Sequence, residues 1–299
     1  MADYCSSPDT LTLTVGSTTI DLMSDQQGLR VSALDLGYPA VREVVLDNPD
    51  RNGATDLTKL LGPRPVVITG ALVPSPAGSR QQAWHKLAPF LDPSARVTMT
   101  YRVDSDAVVK TMTLRAAQAT ALFDNPTTSP AQMGFKAADP LAYGPAQTAT
   151  VLPYATSAGR AYNLTFNRVY PSTGVTVVTT YNRGDVVAFP LLRLYGPASG
   201  ISIQFTVQPP GAGSTAWMLY FLAGFSINAG DRLEIDSKNR TMYLNGDPTQ
   251  NRYSQVDFGR STGGWPYIPA GGSTIWYLNA GTYSTTTQLQ VNWSDAYLL

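Results

Sequence analysis

Apolar and polar residues alternate with a period of two along many short stretches of the chain, the pattern of strands with one buried face. Residues 10–15, 41–46, 66–71, 96–103 and 110–115 read this way in the first half. In the second half the same reading covers 175–181, 191–195, 202–207, 233–236, 241–244 and 288–293, and residues 131–138 add one short strand. Gly (25) and Pro (22) are scattered between these runs rather than blocked, as turns between many short strands require. The expected fold is mainly β, of the sandwich or barrel class.

One segment breaks the period. Ser79 and Gln82 fit a capping box, in which each side chain satisfies an orphan amide of the first helical turn. Ala83, Trp84, Leu87 and Leu91 follow at helical spacing. Pro89 would remove a hydrogen bond and clash with the preceding turn, so the helix is expected over 79–88. The turn-rich stretches DNPTTSP (124–130) and DPLAYGP (139–145) mark breaks. The second sets a boundary near residue 145, which predicts a β-rich domain with one helix over 1–145 and a β-sandwich over 146–299.

The length of 299 residues suits two such domains. Lys plus Arg is 21 and Asp plus Glu is 21, so the basic excess of a nucleic-acid-binding domain is missing. Only 14% of residues are charged, which suits a surface covered by partners better than one free in water. The single cysteine, Cys5, rules out an intramolecular disulfide and a cysteine-rich zinc site. The first ten residues lack the basic and apolar regions of a signal peptide. The longest apolar run, 216–225, is about half of the ~20 residues a spanning helix needs. A chain folded in the cytoplasm, with no membrane insertion, is expected.

The chemical inventory is thin. His85 is the only histidine, and Glu43 and Glu234 are the only glutamates, whereas general acid–base catalysis leans on these residue types. The G-x-S-x-G and G-x-x-x-x-G-K-[ST] motifs do not occur. No catalytic residue, metal or cofactor is expected. Asp231, Glu234 and Asp236 lie close in sequence, but AGDRLEIDSKNRTMYLNG reads as a hairpin turning at 237–239. The alternation then puts these acids on the solvent side. Trp217, Trp276 and Trp293 lie in strand-like runs and are expected to fill a core. Trp265, in STGGWPYIPAGG, reads as an exposed loop residue.

One stretch is read as a contact surface. Residues 48–65 lie between two strands and are too many for a tight turn. They mix Arg51, Asp56, Lys59 and Arg64 with the apolar Leu57, Leu60 and Leu61. Three leucines rarely stay bare in a solvated loop, so this candidate inter-subunit loop is expected to pack on a neighbouring chain. The alternative is a loop folded onto its own domain.

Several segments, in order, resemble one family. They are GLRVSALDLGYPAVREVVLDNPDRNGATDLTKLLGPRPVVITGAL (28–72), NRGDVVAFPLLRLYGPASGISI (182–203), INAGDRLEIDSKNRTMYLNG (227–246), WPYIPAGGSTIWY (265–277) and VNWSDAYLL (291–299). Together they are similar to the distal tail proteins of siphoviruses, phages with long flexible tails. The resemblance implies an N-terminal β-rich domain with one helix that assembles into a homo-hexameric ring, and a C-terminal galectin-like β-sandwich. It implies a structural hub of the virion, between the tail tube and the tail tip or baseplate. The tail tube protein, tail-tip and tail-associated proteins and the tape measure protein would be its partners. A galectin-like fold does not carry sugar binding with it, and the local His-Asn-Arg and Trp pattern of galectins is missing. The alternative is a carbohydrate-binding adhesin or receptor-binding module built on the second sandwich.

Overall fold

The computed structural model describes residues 5–6, 8–24, 29–42, 45–47, 54–56, 60–72, 79–103, 107–121, 129–153 and 176–298. Two compact units emerge, the first over residues 1–145 with 298–299, the second over 146–297. The fold is mainly β in both, with one α-helix among the described residues.

In chain order the first unit holds β1 (Cys5–Ser6), β2 (Pro8–Val15), β3 (Thr18–Asp21), β4 (Leu29–Asp35), β5 (Val41–Arg42), β6 (Val45–Asp47), β7 (Ala54–Asp56), β8 (Leu60–Leu61), β9 (Arg64–Leu72), α1 (Arg80–Leu87), β10 (Val97–Val103), β11 (Lys110–Ala121), β12 (Ser129–Ala137) and β13 (Ala142–Tyr143). Eight of these strands run β1-β4-β9-β12-β11-β10-β2-β3. The long strand β11 belongs to both halves of the array. Its first part pairs with β10, its second with β12, and the register shifts between Ala116 and Gln118. A bulge of this kind bends a strand and raises its twist, so one continuous backbone turns the corner.

The alternation seen in the sequence becomes matched rows. Val66 faces Phe135 and Ile68 faces Met133 across β9 and β12, and all four are buried. On the other half, Leu13 faces Met99, which faces Met112, again all buried. Gly70 is required where β4 bulges between Val31 and Ala33. There a Cβ would lie 2.5 Å from the Arg30 carbonyl oxygen.

Helix α1 begins as the sequence predicts. The Ser79 hydroxyl accepts from the Gln82 amide at 3.2 Å, and the Ser79 amide donates to the Gln82 side chain at 2.9 Å. The α-helix ends at Leu87 and a 3-10 turn over Ala88–Phe90 takes up Pro89 near its start, where a missing N–H breaks no bond. Ala83, Leu87 and Phe90 are buried, and α1 lies against β9.

The second unit holds β14 (Gln147–Val151), β15 (Val177–Tyr181), β16 (Leu191–Tyr195), β17 (Ala198–Ser199), β18 (Ser202–Gln208), β19 (Thr215–Tyr220), β20 (Ser226–Ile227), β21 (Arg232–Asp236), β22 (Thr241–Leu244), β23 (Ser273–Asn279), β24 (Thr282–Tyr283), β25 (Gln288–Trp293) and β26 (Ala296–Tyr297). A five-stranded sheet, β14-β25-β16-β21-β22, and a four-stranded sheet, β15-β23-β18-β19, form a sandwich. From the first sheet the row Val291–Leu192–Ile235–Met242 is buried. In the second, Phe205 sits between Trp276 and Trp217. It stacks on Trp276 at 5.7 Å between ring centroids and meets Trp217 edge-on at 5.8 Å. Trp276 is fully buried, and its indole N–H donates to the Thr180 hydroxyl at 2.8 Å, so the polar handle of this large side chain is satisfied.

Candidate assembly and ligand surfaces

Part of the stretch expected as an inter-subunit loop pairs back on the preceding strands. Val41 pairs with Leu61 and Arg42 with Leu60 in β5–β8, and Val45, Leu46 and Asp47 pair with Asp56, Thr55 and Ala54 in β6–β7. The expectation of a loop over 48–65 is therefore corrected at 54–56 and 60–61, which are strands, while 48–53 and 57–59 lie outside the described residues. The amides and carbonyls of 41–42 and 45–47 need partners, and the returning segment supplies them. Leu60 is 53% exposed and Val41 43% exposed, while Leu61 is half-buried. The backbone of Asp56 lies in β7. Arg51, Leu57 and Lys59 lie outside the described residues. Arg64 departs from the expectation: it opens β9, is fully buried, and its guanidinium donates to the Leu298 carbonyl oxygen. A buried guanidinium engaged within its own chain is no longer a surface charge offered to a neighbour.

The acidic residues do not converge. Glu234 accepts from the Nε of Arg193 at 3.1 Å and of Arg232 at 2.8 Å. Asp231 accepts from the Asn245 side chain at 2.8 Å, and Asp236 accepts from the Asn239 amide at 2.9 Å and its side chain at 2.7 Å. Alternation places Leu233 and Ile235 inside, as expected. Glu234 is on the opposite face, yet only 17% of its side chain is exposed because two arginines cover it. Among the described residues no three His, Cys, Asp or Glu side chains form a group that could hold a metal. His85 is exposed on α1, and Glu43 lies outside the described residues. Two surface carboxyls are held below the ordinary range. In Asp92 the Ser94 amide and then its hydroxyl do this, and in Asp247 the Thr249 hydroxyl and then its amide.

A corner of the second unit gathers aromatic side chains. The 3-10 turn Tyr253–Gln255 and the loop after it run along the outer edge of β19. There the Tyr220 amide donates to the Ser261 hydroxyl at 3.0 Å and the Met218 amide to the Thr262 hydroxyl at 3.1 Å. These hydroxyls close an edge that would otherwise offer bare amides. Gly263 (φ +81°) lies against the Trp217 ring, where a Cβ would come within 2.2 Å. Beyond it Trp265 stacks on Tyr253, with centroids 5.8 Å apart and planes 8° from parallel. Tyr253 also meets Phe258 at 5.1 Å. Trp265 is half-buried rather than fully exposed, and Trp293, expected in the core, is also half-buried and donates its N–H to the Tyr181 carbonyl at 2.9 Å.

The sequence matches no protein-family model and no curated protein. Solved structures do match. The SPP1 Dit protein, a hub adsorption apparatus protein of phages that infect Gram-positive hosts, is 15% identical, with 96% of this chain and 99% of that one covered at a TM-score of 0.60. The fold is that of a phage tail hub protein. The phage P2 baseplate in its activated conformation also matches, at 9% identity and a TM-score of 0.41, with 95% of this chain and 97% of that one covered, a likeness too loose to compare topology.

The resemblance read from the sequence thus extends to the fold, over nearly the whole of both chains. Two features of this hub fold were not legible. The return strand of the 41–61 hairpin is only three and two residues long, ATD and LL, too short to show a period. The second half of β11, RAAQATA, has only alanines as apolar residues and buries none of them, so it shows no large apolar face. It is a strand because β12 lies beside it. The capping role of Ser261 and Thr262 leaves no sequence signal either, since Ser-Thr pairs in loops are common.

Proposed function

We propose that this chain is a structural protein of a phage tail, a distal tail hub that assembles through its first unit into a closed ring of six. The ring joins the tail tube to the tail tip or baseplate and meets the tape measure protein near its axis. The observation that carries the reading is the hub fold over nearly the whole of both chains. The hairpin of residues 41–61 supports it. An isolated two-stranded hairpin is marginal in water, and this one presents Val41 and Leu60 to its surroundings, so a neighbouring subunit is its natural cover. The role is one of shape and contact and requires no chemical step. A heterologous interface of this kind closes into a ring when its rotation allows. Native mass spectrometry and negative-stain imaging test it. Six-fold rings with a lumen are the expected result; a chain that stays monomeric at high concentration and with its tail tube partner overturns it.

A further inference from the structure

We propose that the aromatic corner of the second unit is a binding site for one neutral pyranose ring of a glycan. The reading goes beyond the hub assignment and does not rest on it. A pocket of about 150 Å³ opens here, lined by Met218, Met242, Val256, Tyr253, Phe258 and Trp265 among others. That volume is about what a single six-membered ring fills. Met242 and Val256 are buried and form its inner side, while Tyr253 and Phe258, 41% and 58% exposed, form the rim.

Three properties select the ligand. First, no residue lining the pocket is charged, so phosphates, carboxylated sugars and cations would lose hydration without compensation. Second, Tyr253, Phe258 and Trp265 put three aromatic rings in the lining, apolar surface of the kind that the C–H side of a pyranose covers. Third, among the described residues neither the Trp265 indole N–H nor the Tyr253 hydroxyl has a hydrogen-bond partner. An apolar occupant covering these groups would leave them unsatisfied, at about 1–3 kcal/mol each. A sugar brings hydroxyls to both. The Ser261 and Thr262 hydroxyls, engaged by the β19 backbone, are scaffold rather than ligand contacts.

The full chain is titrated with cellohexaose, chitohexaose and maltohexaose to millimolar concentration, followed by tryptophan emission and by calorimetry. Binding of at least one oligosaccharide is expected, with a shift in emission. Trp265→Ala should weaken it at least about tenfold, equivalent to about 1.4 kcal/mol, and Tyr253→Phe, which deletes one hydroxyl, should weaken it several-fold without disturbing the fold. Tyr283→Ala, at an exposed position on a different strand, should leave it unchanged. Absence of binding by all three sugars overturns the proposal. Binding that survives both pocket variants also overturns it, as does a pocket that takes free indole but no sugar, which would mark a seat for a partner protein's apolar side chain. A chain that binds sugar but forms no ring would count against the hub reading alone.

Discussion

Two hairpins of the chain differ in what covers their described side chains. In β21–β22, Leu233, Ile235 and Met242 are buried on one face, and on the other Glu234 is clamped by Arg193 and Arg232. In the 41–61 hairpin Val41 and Leu60 are exposed and Leu61 is half-buried. Backbone pairing makes both into strands. What covers a strand is decided by its surroundings, and among the described side chains Val41 and Leu60 lack the cover that Leu233, Ile235 and Met242 have.

The contrast can be broken most sharply at Ile235. It is fully buried between β16 and β22, and Ile235→Ala should destabilise the second unit by about 2–5 kcal/mol, measured by denaturant unfolding. A loss below about 1 kcal/mol would show that the supported hairpin is not held by its apolar face. Glu234→Gln tests the other face. It leaves two guanidinium groups without their shared carboxylate, and because the arginines are 34% and 41% exposed the loss should be only about 1 kcal/mol. It should shrink further in high salt; a salt-independent loss would point to packing rather than charge.

For the unsupported hairpin the expectation reverses. Val41→Ser with Leu60→Ser should change the unfolding of the isolated chain by no more than about 0.5 kcal/mol, while lowering the fraction of oligomer seen by native mass spectrometry. Unchanged assembly would return the hairpin to a purely local role. The smallest effect belongs to Asp247, just beyond β22. Its carboxyl is lowered by the Thr249 hydroxyl and amide, so its contribution to stability is present above the ordinary aspartate value and is lost as pH falls through the lowered one. Asp247→Asn should therefore leave the acid side of the stability profile slightly flatter. A profile steeper than that of the parent chain would reverse the sign.

Legibility followed local physics. The Ser79 capping box, the stop at Pro89 and the buried alternation of β9 and β16 are set by neighbours in sequence, and they were readable. The hairpin return, the second half of β11 and the half-buried place of Trp293 are set by distant backbone, and they were not. Trp265 announced the aromatic corner, but Tyr253 and Phe258 reach it through the path of the loop along β19. That path depends on two hydroxyls standing in for a strand.

The bend in β11 has a mechanical meaning. Because one strand serves both halves of the first unit, a pull on either half is carried to the other along covalent backbone instead of across packed side chains. The halves separate only if a whole ladder, to β10 or to β12, gives way together in shear. The two halves of the first unit are thus joined by shared backbone, and parting them means breaking a row of hydrogen bonds rather than an apolar face.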